Sequence, residues 1–259
     1  MNQLEDRLST GRLSVMEIGY DLRHYNPLVK LDLGLDTKLE REFIDKVLNK
    51  FPTDSILGEE TGMTNGTSNY EWVIDPIDGT RYLNRGGKRV SINLALKYQG
   101  NIVGAWVYNP FVQEFYSFEQ NANPTLEKID NMAKVSLPIK TSETLRDMPV
   151  VYQGSRHYRE DYNLLGEAYS QEKILKLEET GGSIAYNALQ ITKNLGAYIY
   201  HQTTPANAWD IDAALSILHA SNCVVSSSNE GNRLIFAQNQ SIHDELTSIL
   251  NITDATYVK

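Results

Sequence analysis

The chain has few of the features that mark secreted, membrane-spanning or disulfide-rich proteins. Its 259 residues include a single cysteine, Cys223, which excludes an internal disulfide and fits a reducing compartment. Cys223 lies in an apolar run, so we interpret it as a buried structural thiol. No apolar run is long enough to span a bilayer, and the first residues lack the basic and then apolar pattern of a signal peptide. We therefore expect a cytoplasmic protein that does not act at a membrane.

Positive charge is also scarce. The 24 lysine and arginine residues are outnumbered by 33 aspartate and glutamate residues, which gives a net charge of −9. This balance argues against a nucleic-acid partner, because binding to a phosphate backbone depends on clustered cations. Internal repeats and low-complexity tracts are absent as well. The length suits one large domain or two small ones.

We divide the chain near residue 140 into an α+β part, 1–140, and an α/β part, 141–259. Apolar residues at helical spacing predict a helix over 36–51, in which Thr37 and Glu40 have the spacing of a capping box. The segment before it is weakly helical, since Gly11 and Gly19 interrupt it. Strands are predicted at 55–58 and 71–75, followed by an antiparallel meander at 90–98, 102–108 and 113–118. Residues 119–146 are polar and irregular.

The second part alternates strands with helices, which is typical of a sheet covered by helices. Strands are predicted at 150–153, 174–177, 197–200, 224–226 and 234–237, and helices at 158–169, 183–195, 209–220 and 242–250.

The stretch from Trp72 to Thr80 carries the clearest chemical signal. Asp75 and Asp78 stand three apart at the end of a strand, where two carboxylates suit a hard divalent cation better than a core. The Gly79-Thr80 pair that follows can open a helix whose free N–H groups face an anion. A metal beside an anion is the layout of a site that processes phosphate.

Two further acids follow the same logic. Glu59 ends the short strand before it, and Asp210 begins an apolar helix. Each residue alone has an ordinary explanation, because Glu59 could be a solvated surface acid, Asp78-Gly79 a turn and Asp210 an N-cap. Their joint occurrence, in this order along the chain, favours one shared site.

Three motifs together resemble the inositol monophosphatase family of metal-dependent phosphomonoesterases: Leu57-Gly58-Glu59-Glu60, Trp72 to Thr80, and Ala208 to Ala214. The resemblance covers nearly the whole chain. It implies a layered αβαβα sandwich of the sugar-phosphatase type, with two or three Mg²⁺ ions in each active site. It also implies lithium sensitivity and a homodimer. Aromatic residues of the meander should be mostly core, with some at the interface between subunits.

Carried over position by position, the resemblance implies these metal ligands: Glu59, Asp75, the Ile77 carbonyl, Asp78 and Asp210. It implies catalytic roles for Thr80, Asp36 and Glu59, with Thr80 and Asp36 orienting the attacking water. Asp36 has an equally good explanation as a helix N-cap. Phosphate is expected on the N–H groups of Gly79 and Thr80, and the predicted substrate contacts are Gly182, Ser183, Gln202 and Asp210.

The reaction implied is hydrolysis of a small phosphorylated metabolite by direct attack of a metal-activated water. No serine, cysteine or histidine of the motif stands beside an evident base, which disfavours a phosphoenzyme.

The chain departs from the family at three places. Asp32-Leu33 replaces the usual Val-Thr before Asp36, where Lys30 is either a phosphate contact or an exposed lysine. Arg81-Tyr82-Leu83 replaces Thr-Asn-Phe, and Arg81 either contacts substrate or is solvated. The acidic residue expected upstream of Trp209-Asp210 is missing, and His201 or Gln202 stands about there. This last change weakens the case for inositol phosphate as the substrate.

Other readings compete with this one. A haloacid-dehalogenase phosphatase needs two aspartates two residues apart, but Pro76 stands at that distance from Asp78. An EF-hand loop needs acids at alternate positions, which Pro76 and Ile77 interrupt. Within the enzyme class, bisphosphate nucleotidase, fructose-1,6-bisphosphatase and dinucleotide phosphatase activities stay open. A non-catalytic protein that binds metal and phosphate is the alternative from another class.

Overall fold

The computed structural model describes residues 3–24, 34–139 and 141–258. The chain forms two compact units. The first contains Met1–Ser136, Gly182–Tyr186 and Ala208–Ile217, and the second contains Leu137–Gly181, Asn187–Asn207 and Leu218–Lys259. The division predicted near residue 140 did not foresee the two later segments that return to the first unit. Within the described ranges, no helix combines the length and the hydrophobicity that crossing a membrane requires.

The first unit holds most of the predicted elements of the α+β part. Its helices and strands are α1 (Gln3–His24), α2 (Leu35–Lys50), β1 (Ser55–Gly58), β2 (Gly62–Thr64), β3 (Tyr70–Asp78), α3 (Thr80–Leu83), β4 (Ser91–Tyr98), β5 (Asn101–Asn109), β6 (Glu114–Glu119), β7 (Thr125–Lys128) and β8 (Ala133–Ser136). The strands form one sheet in the order β2-β1-β3-β4-β5-β6-β7-β8. β1 pairs with β3 in parallel, whereas β3 to β8 pair antiparallel in sequence. The predicted meander is therefore confirmed.

Helices α1 and α2 pack their apolar side chains into one cluster with strands β3 to β6. Two sequence predictions about this region were wrong. First, α1 is not interrupted by its glycines but runs unbroken over 22 residues. Second, residues 125–136, predicted to be irregular, form the hairpin β7–β8 at the edge of the sheet. All four residues of β8 are exposed, so its sequence lacks the apolar alternation by which a half-buried strand is recognised.

The start of β1 is fixed by a buried ion pair. The carboxylate of Asp54 accepts hydrogen bonds from the Arg7 guanidinium, with both N···O distances 2.8 Å. The same carboxylate accepts from the Trp72 indole at 3.0 Å and from the Ser68 hydroxyl at 2.8 Å. A buried charge with this many donors is well compensated. β1, which leads directly into Glu59, is thus held firmly at its first residue.

The second unit holds the α/β part. Its main elements, with two helices shared with the first unit, are β9 (Pro149–Gly154), α4 (Arg159–Ser170), β10 (Lys176–Glu179), α5 (Ile184–Leu189), β11 (Ala197–His201), α6 (Ala208–Ala220), β12 (Val224–Ser228), β13 (Arg233–Ala237), α7 (Gln240–Ile249) and β14 (Thr256–Tyr257). The sheet order is β10-β9-β11-β13-β12-β14. β9 pairs in parallel with β10 and β11, and the remaining pairs are antiparallel. The predicted alternation of strands and helices is confirmed, and β14 is the strand that it missed.

Burial agrees with most of the composition-based expectations. Cys223 is a free, buried thiol whose pKa is raised to about 12 by burial, as expected for a structural cysteine. In the meander, Trp106 and Phe115 are fully buried and Tyr108 nearly so. These rings belong to the hydrophobic core of the first unit.

Candidate active site

Strand β3 carries the two aspartates of the central motif, and it is longer than predicted. It runs to Asp78, so that Asp75 and Asp78 both lie inside the strand. The pairing with β4 is irregular between these two residues: Asp75 pairs with Asn93 and Asp78 pairs with Ser91. Both aspartates are buried, at 1% and 8% exposure. In a regular strand, residues three apart point to opposite faces of the sheet. The irregular pairing interrupts this alternation between Asp75 and Asp78, whose carboxylates lie close together.

The third carboxylate comes from α6. Asp210 is the third residue of this helix, in its first turn and not at its N-cap. Asp75, Asp78 and Asp210 each offer one carboxylate oxygen, and these oxygens all lie within 4.8 Å of one another. Three carboxylates at this separation suit a hard divalent cation that takes oxygen ligands.

Asp78 is held in place by a buried polar network. One of its carboxylate oxygens accepts from the Ser183 hydroxyl at 2.5 Å and from the Asn93 amide at 3.2 Å. The Ser183 hydroxyl lies 2.6 Å from that of Ser91 and accepts from the backbone N–H of Tyr186 at 2.9 Å. This network fixes the orientation of Asp78, as partners behind a metal ligand commonly do.

Ser183 was predicted to contact substrate, yet its side chain is fully buried. The structure shows it on Asp78, so a substrate contact of this hydroxyl stays a prediction. Its role on Asp78 was missed because only the folded chain brings residue 183 to residue 78.

Burial and neighbouring negative charges raise the pKa values of the carboxyl groups in this site. Burial is the main reason why the pKa of Asp75 is raised well above its usual value, and the negative charges of Asp78, Glu59 and Asp210 add to it. Burial likewise raises the pKa of Asp78 to about 7, although its bonds from Ser183 and Asn93 act in the opposite direction. Carboxylates in this state gain stability from a nearby cation.

Glu59 lies on the exposed loop that follows β1. Partial desolvation raises the pKa of its carboxyl group, a hydrogen bond with Asp75 lowers it, and the charges of Asp210, Glu60 and Asp36 raise it further. These interactions place Glu59 near Asp75 and Asp210, and Asp36 is close enough for its charge to affect the pKa of Glu59. The predicted acids of the first unit therefore gather in one region.

Glu40 has a different role from the helix-capping role predicted from the sequence. The capping box of Thr37 and Glu40 does not form, because α2 begins after Gly34 without a side-chain cap. Instead the Glu40 carboxylate, which is fully buried, accepts from the N–H groups of Glu60 at 3.0 Å and Thr61 at 2.7 Å. It also accepts from the Thr61 hydroxyl at 2.7 Å. Glu40 therefore fixes the loop that carries Glu59.

Gly58 makes room for this contact. A Cβ atom at Gly58 would lie 2.2 Å from a carboxylate oxygen of Glu40, so no larger residue fits there without a shift. The close approach of Glu40 thus explains why the Gly-Glu-Glu motif has a glycine at position 58.

The turn after β3 brings Thr80 back toward the strand. The Thr80 hydroxyl donates to the Ile77 carbonyl at 2.7 Å, and the Ile77 N–H donates to Asp75 at 2.9 Å. Gly79 has φ of +92°, which favours glycine. A Cβ there would lie 2.8 Å from the Ser183 nitrogen. The phosphate-binding roles of Gly79 and Thr80 and the catalytic roles of Thr80 and Asp36 stay predictions.

Other predicted residues lie elsewhere or cannot be placed. Gln202 follows β11 in the second unit and is half-buried, and its contact with substrate stays a prediction. His201 is buried and bonds to Asp161 and Asn229, which supports the structural interpretation of this histidine. Lys30 and Asp32-Leu33, whose roles were left open, lie outside the described residues.

The chain has relatives among known proteins. A model of the Inositol monophosphatase family matches residues 33–253. An inositol-1-monophosphatase of Rhizobium meliloti is 38% identical over 92 residues, which is 35% of each chain. A fructose-1,6-bisphosphatase/inositol-1-monophosphatase of Aquifex aeolicus is 25% identical over 268 residues, 96% of this chain and 97% of the relative.

Another relative, called Nus factor SuhB in Pseudomonas aeruginosa, is 32% identical over 95 residues, 36% of this chain and 35% of the relative. The chain thus matches only about a third of the length of some of these relatives. Among solved structures, SuhB of Mycobacterium tuberculosis superposes with a TM-score of 0.77 at 22% identity, over 97% of this chain and 98% of that one. This likeness confirms the predicted fold class.

Proposed function

This chain is a member of the inositol monophosphatase family, and from that premise we propose that it hydrolyses a small phosphate monoester with divalent cations bound at Asp75, Asp78 and Asp210. Membership of this family and the names of its relatives support phosphatase activity. The single observation that supports the proposal most strongly is the cluster of three carboxylate oxygens within 4.8 Å, two of them from buried residues.

The donor set fits Mg²⁺, because every group of the cluster offers a hard oxygen atom. Asp75, Asp78 and Asp210 would hold the ions, and Glu59 and the Ile77 carbonyl would complete the set. Two or three ions would supply charge neutralisation of the phosphate and activation of water.

The chain's own residues have defined tasks in the proposed reaction. Ser183 and Asn93 hold Asp78 in one orientation, and the Ile77 N–H does the same for Asp75. The Thr80 hydroxyl donates to the Ile77 carbonyl in the structure. In the proposed step it would accept a proton from the attacking water while its own proton passes to a neighbouring carboxylate. Asp36, near Glu59, would orient the same water, and Gly79 would hold a non-bridging phosphate oxygen.

We propose direct displacement without a phosphoenzyme. A bond forms between the water oxygen and phosphorus while the ester P–O bond breaks, which releases an alcohol and inorganic phosphate. The motivating observation is that the motif contains no nucleophile beside a base. Recovery of a covalent aspartyl- or seryl-phosphate from labelled substrate would overturn this.

Substitutions at Asp75 and Thr80 test the division of labour. Asp75→Asn should abolish Mg²⁺ binding, because it removes a buried ligand charge. Thr80→Ala should keep Mg²⁺ binding but lower kcat by about 100-fold or more, the usual scale for a lost proton-transfer group. Calorimetric Mg²⁺ titration and phosphate release from p-nitrophenyl phosphate measure the two effects. The reverse pattern would refute the assignment.

A non-catalytic binding role is the second candidate, and the relative named Nus factor SuhB favours it. One assay distinguishes the catalytic role from the binding role: phosphate release from a panel of phosphomonoesters with and without Mg²⁺. No release from any ester, by a folded protein that binds Mg²⁺, would leave the binding role.

The remaining properties are proposed on family membership. They are contact of Gly182, Ser183 and Gln202 with the substrate, inhibition by lithium, a homodimer in solution, and a cytoplasmic location. Light scattering of the intact chain measures the dimer, and lithium titration of the assay measures the inhibition.

A further inference from the structure

A cluster of cations stands beside the candidate active site. We use the term basic loop for residues 79–90, which join β3 to β4. The loop contains Arg81, Arg85, Lys88 and Arg89 and no acidic residue. The chain as a whole carries nine more negative than positive charges, so this local excess of positive charge runs against the composition.

The basic loop is closed at its base by the sheet. Asp78 pairs with Ser91 across β3 and β4, so the loop leaves and re-enters the sheet at a candidate metal ligand. Within the loop, the Gly87 N–H donates to the Tyr82 carbonyl at 3.0 Å. A Cβ at Gly87 would lie 2.1 Å from the Tyr82 ring. The backbone of the loop therefore turns back on itself between Tyr82 and Gly87.

The returning arm of the loop is also anchored. The Lys88 carbonyl accepts from the buried Asn109 amide at 2.8 Å, and the Arg89 carbonyl accepts from the Ser183 N–H at 2.7 Å. A Cβ at Gly79 would lie 3.2 Å from that Arg89 oxygen. Both arms of the basic loop thus lie side by side at Gly79, where phosphate binding is proposed.

Three of these cations lack a partner among the residues that the structure describes. Arg81, Arg85 and Lys88 are exposed, and across the described part of the chain no hydrogen bond or ion pair engages their side chains. Other cations of the first unit do find carboxylates: Arg7 bonds Asp54, and Lys97 bonds Asp212 at 2.7 Å. In a chain rich in acids, three unpaired cations on one short loop leave positive charge available for an anion from outside.

We propose that the basic loop binds a second phosphate group of the substrate, so that the chain acts on a monoester that carries another phosphate. The inference rests on the proposed function. Arg81 follows Thr80 directly, so their Cα atoms lie about 3.8 Å apart, and Arg85 stands four residues after Arg81. Arginine matches phosphate with paired donors. A second phosphate near this acidic site needs such compensation.

The experiment compares matched esters that differ by one phosphate. One set is adenosine 3′,5′-bisphosphate with the two adenosine monophosphates, and the other is fructose 1,6-bisphosphate with fructose 6-phosphate. We expect kcat/KM to favour the bisphosphate by about tenfold or more in at least one set, equivalent to about 1.4 kcal/mol. The preference should shrink with added salt, because exposed charges are screened.

The triple variant Arg81→Gln/Arg85→Gln/Lys88→Gln should lower kcat/KM for the bisphosphate about ten times more than for the matching monophosphate. The control is Arg146→Gln/Lys173→Gln/Lys176→Gln, which removes three exposed cations of the second unit and should leave the ratio unchanged. Equal values in both ester sets, or a ratio that the loop variant does not move, would overturn the inference.

Failure of the proposed function is distinguishable. If the protein hydrolyses no ester, the proposed phosphatase function is wrong. Calorimetric binding of the same ligands in the presence of Mg²⁺ then tests the second-phosphate site by itself. The wild type must bind the bisphosphate about ten times more tightly than the loop variant does, and equal affinities would overturn the second-phosphate site. Melting curves of both triple variants establish that they are folded.

Discussion

At the scale of single residues, the carboxylates of Asp75 and Asp78 are buried close to other acids, where a negative charge is unfavourable. Each lies in a low-dielectric setting, and each is near other negative charges. A group in this position either holds a proton or binds a cation. The site is therefore poised between protonation and metal binding, and pH should move it from one to the other.

Asp78 yields a pH-dependent prediction. Its pKa is 3.8 ordinarily and about 7 in the folded chain, so between these values the folded chain retains a proton that the unfolded chain has lost. The stability this contributes is fully present below pH 4 and is lost as pH rises through 7. Without divalent cations, Asp78→Asn should therefore gain melting temperature relative to wild type between pH 5 and pH 8.

Thermal unfolding in a chelator at both pH values measures this gain. The exposed Asp45→Asn provides the control and should show no such change. A difference between Asp78→Asn and wild type that is the same at pH 5 and pH 8 would contradict the prediction.

At the scale of elements, α2 anchors the loop after β1 through the buried side chain of Glu40. Glu40 reaches from α2 to the loop after β1 and receives three hydrogen bonds there. The loop has no regular structure of its own around Glu59, so this contact determines where that candidate ligand stands.

Glu40→Gln should therefore weaken Mg²⁺ binding. The amide keeps one acceptor but places an NH₂ group against a backbone N–H, and a buried unpaired donor costs about 1–3 kcal/mol. We expect the Kd for Mg²⁺ to rise about tenfold or more by calorimetry. Glu42→Gln, at an exposed position on the same helix that pairs with Lys38, should leave Kd unchanged. Equal affinities of the two variants would show that Glu40 does not position the loop.

Helix α1 packs closely on the sheet because of its glycines. A Cβ at Gly11 would lie 2.6 Å from the Trp106 ring, and one at Gly19 would lie 2.2 Å from the Tyr108 ring. Glycines that weaken a helix by propensity here permit a close approach of helix to sheet.

Gly19→Ala should therefore destabilise the chain by about 1–3 kcal/mol, the usual cost of overpacking. Gly166→Ala is the matched control, because Gly166 also lies inside a helix, α4, and a Cβ there would meet nothing within 4 Å. It should stabilise by up to about 1 kcal/mol through helix propensity. Urea unfolding of both variants measures the change in the free energy of unfolding. An increase in both variants would contradict the packing argument.

The sequence predicted elements well where apolar spacing was regular and poorly where tertiary packing decides. The helix expected at 36–51 forms at Leu35–Lys50, and the meander forms as expected. The exposed hairpin β7–β8 and the intact α1 were missed, because edge strands need no apolar face and because glycine lowers helix propensity only until packing requires it.

The same division holds in the site. The grouping of Asp75, Asp78 and Asp210 was predicted from residue type and from their order along the chain, and their role as metal ligands stays a prediction. The roles of Glu40 and Ser183 were not found, because each depends on a hydrogen bond between residues at least 20 positions apart.

At the scale of the whole molecule, the site links distant parts of the chain. Its carboxylates come from β3, from α6 and from the loop after β1, so cation binding should stabilise all of these parts together. Mg²⁺ at about 100 times its Kd should add roughly 2.7 kcal/mol to the free energy of unfolding. The melting temperature should rise with MgCl₂ but not with NaCl of equal ionic strength, and the rise should be absent in Asp75→Asn. An equal rise in that variant would place the effect outside the site.

The return of residues 182–186 and 208–217 to the first unit bears on how the protein is made. When a ribosome has released the chain only as far as Ser136, the sheet strands are present but Ser183 and Asp210 are not. Another 81 residues, from 136 to 217, must emerge, which takes roughly 4–16 s at 5–20 residues per second. During that interval the nascent sheet has Asp75 and Asp78 but lacks Ser183 and Asp210, so the candidate metal site should be among the last parts of the molecule to form.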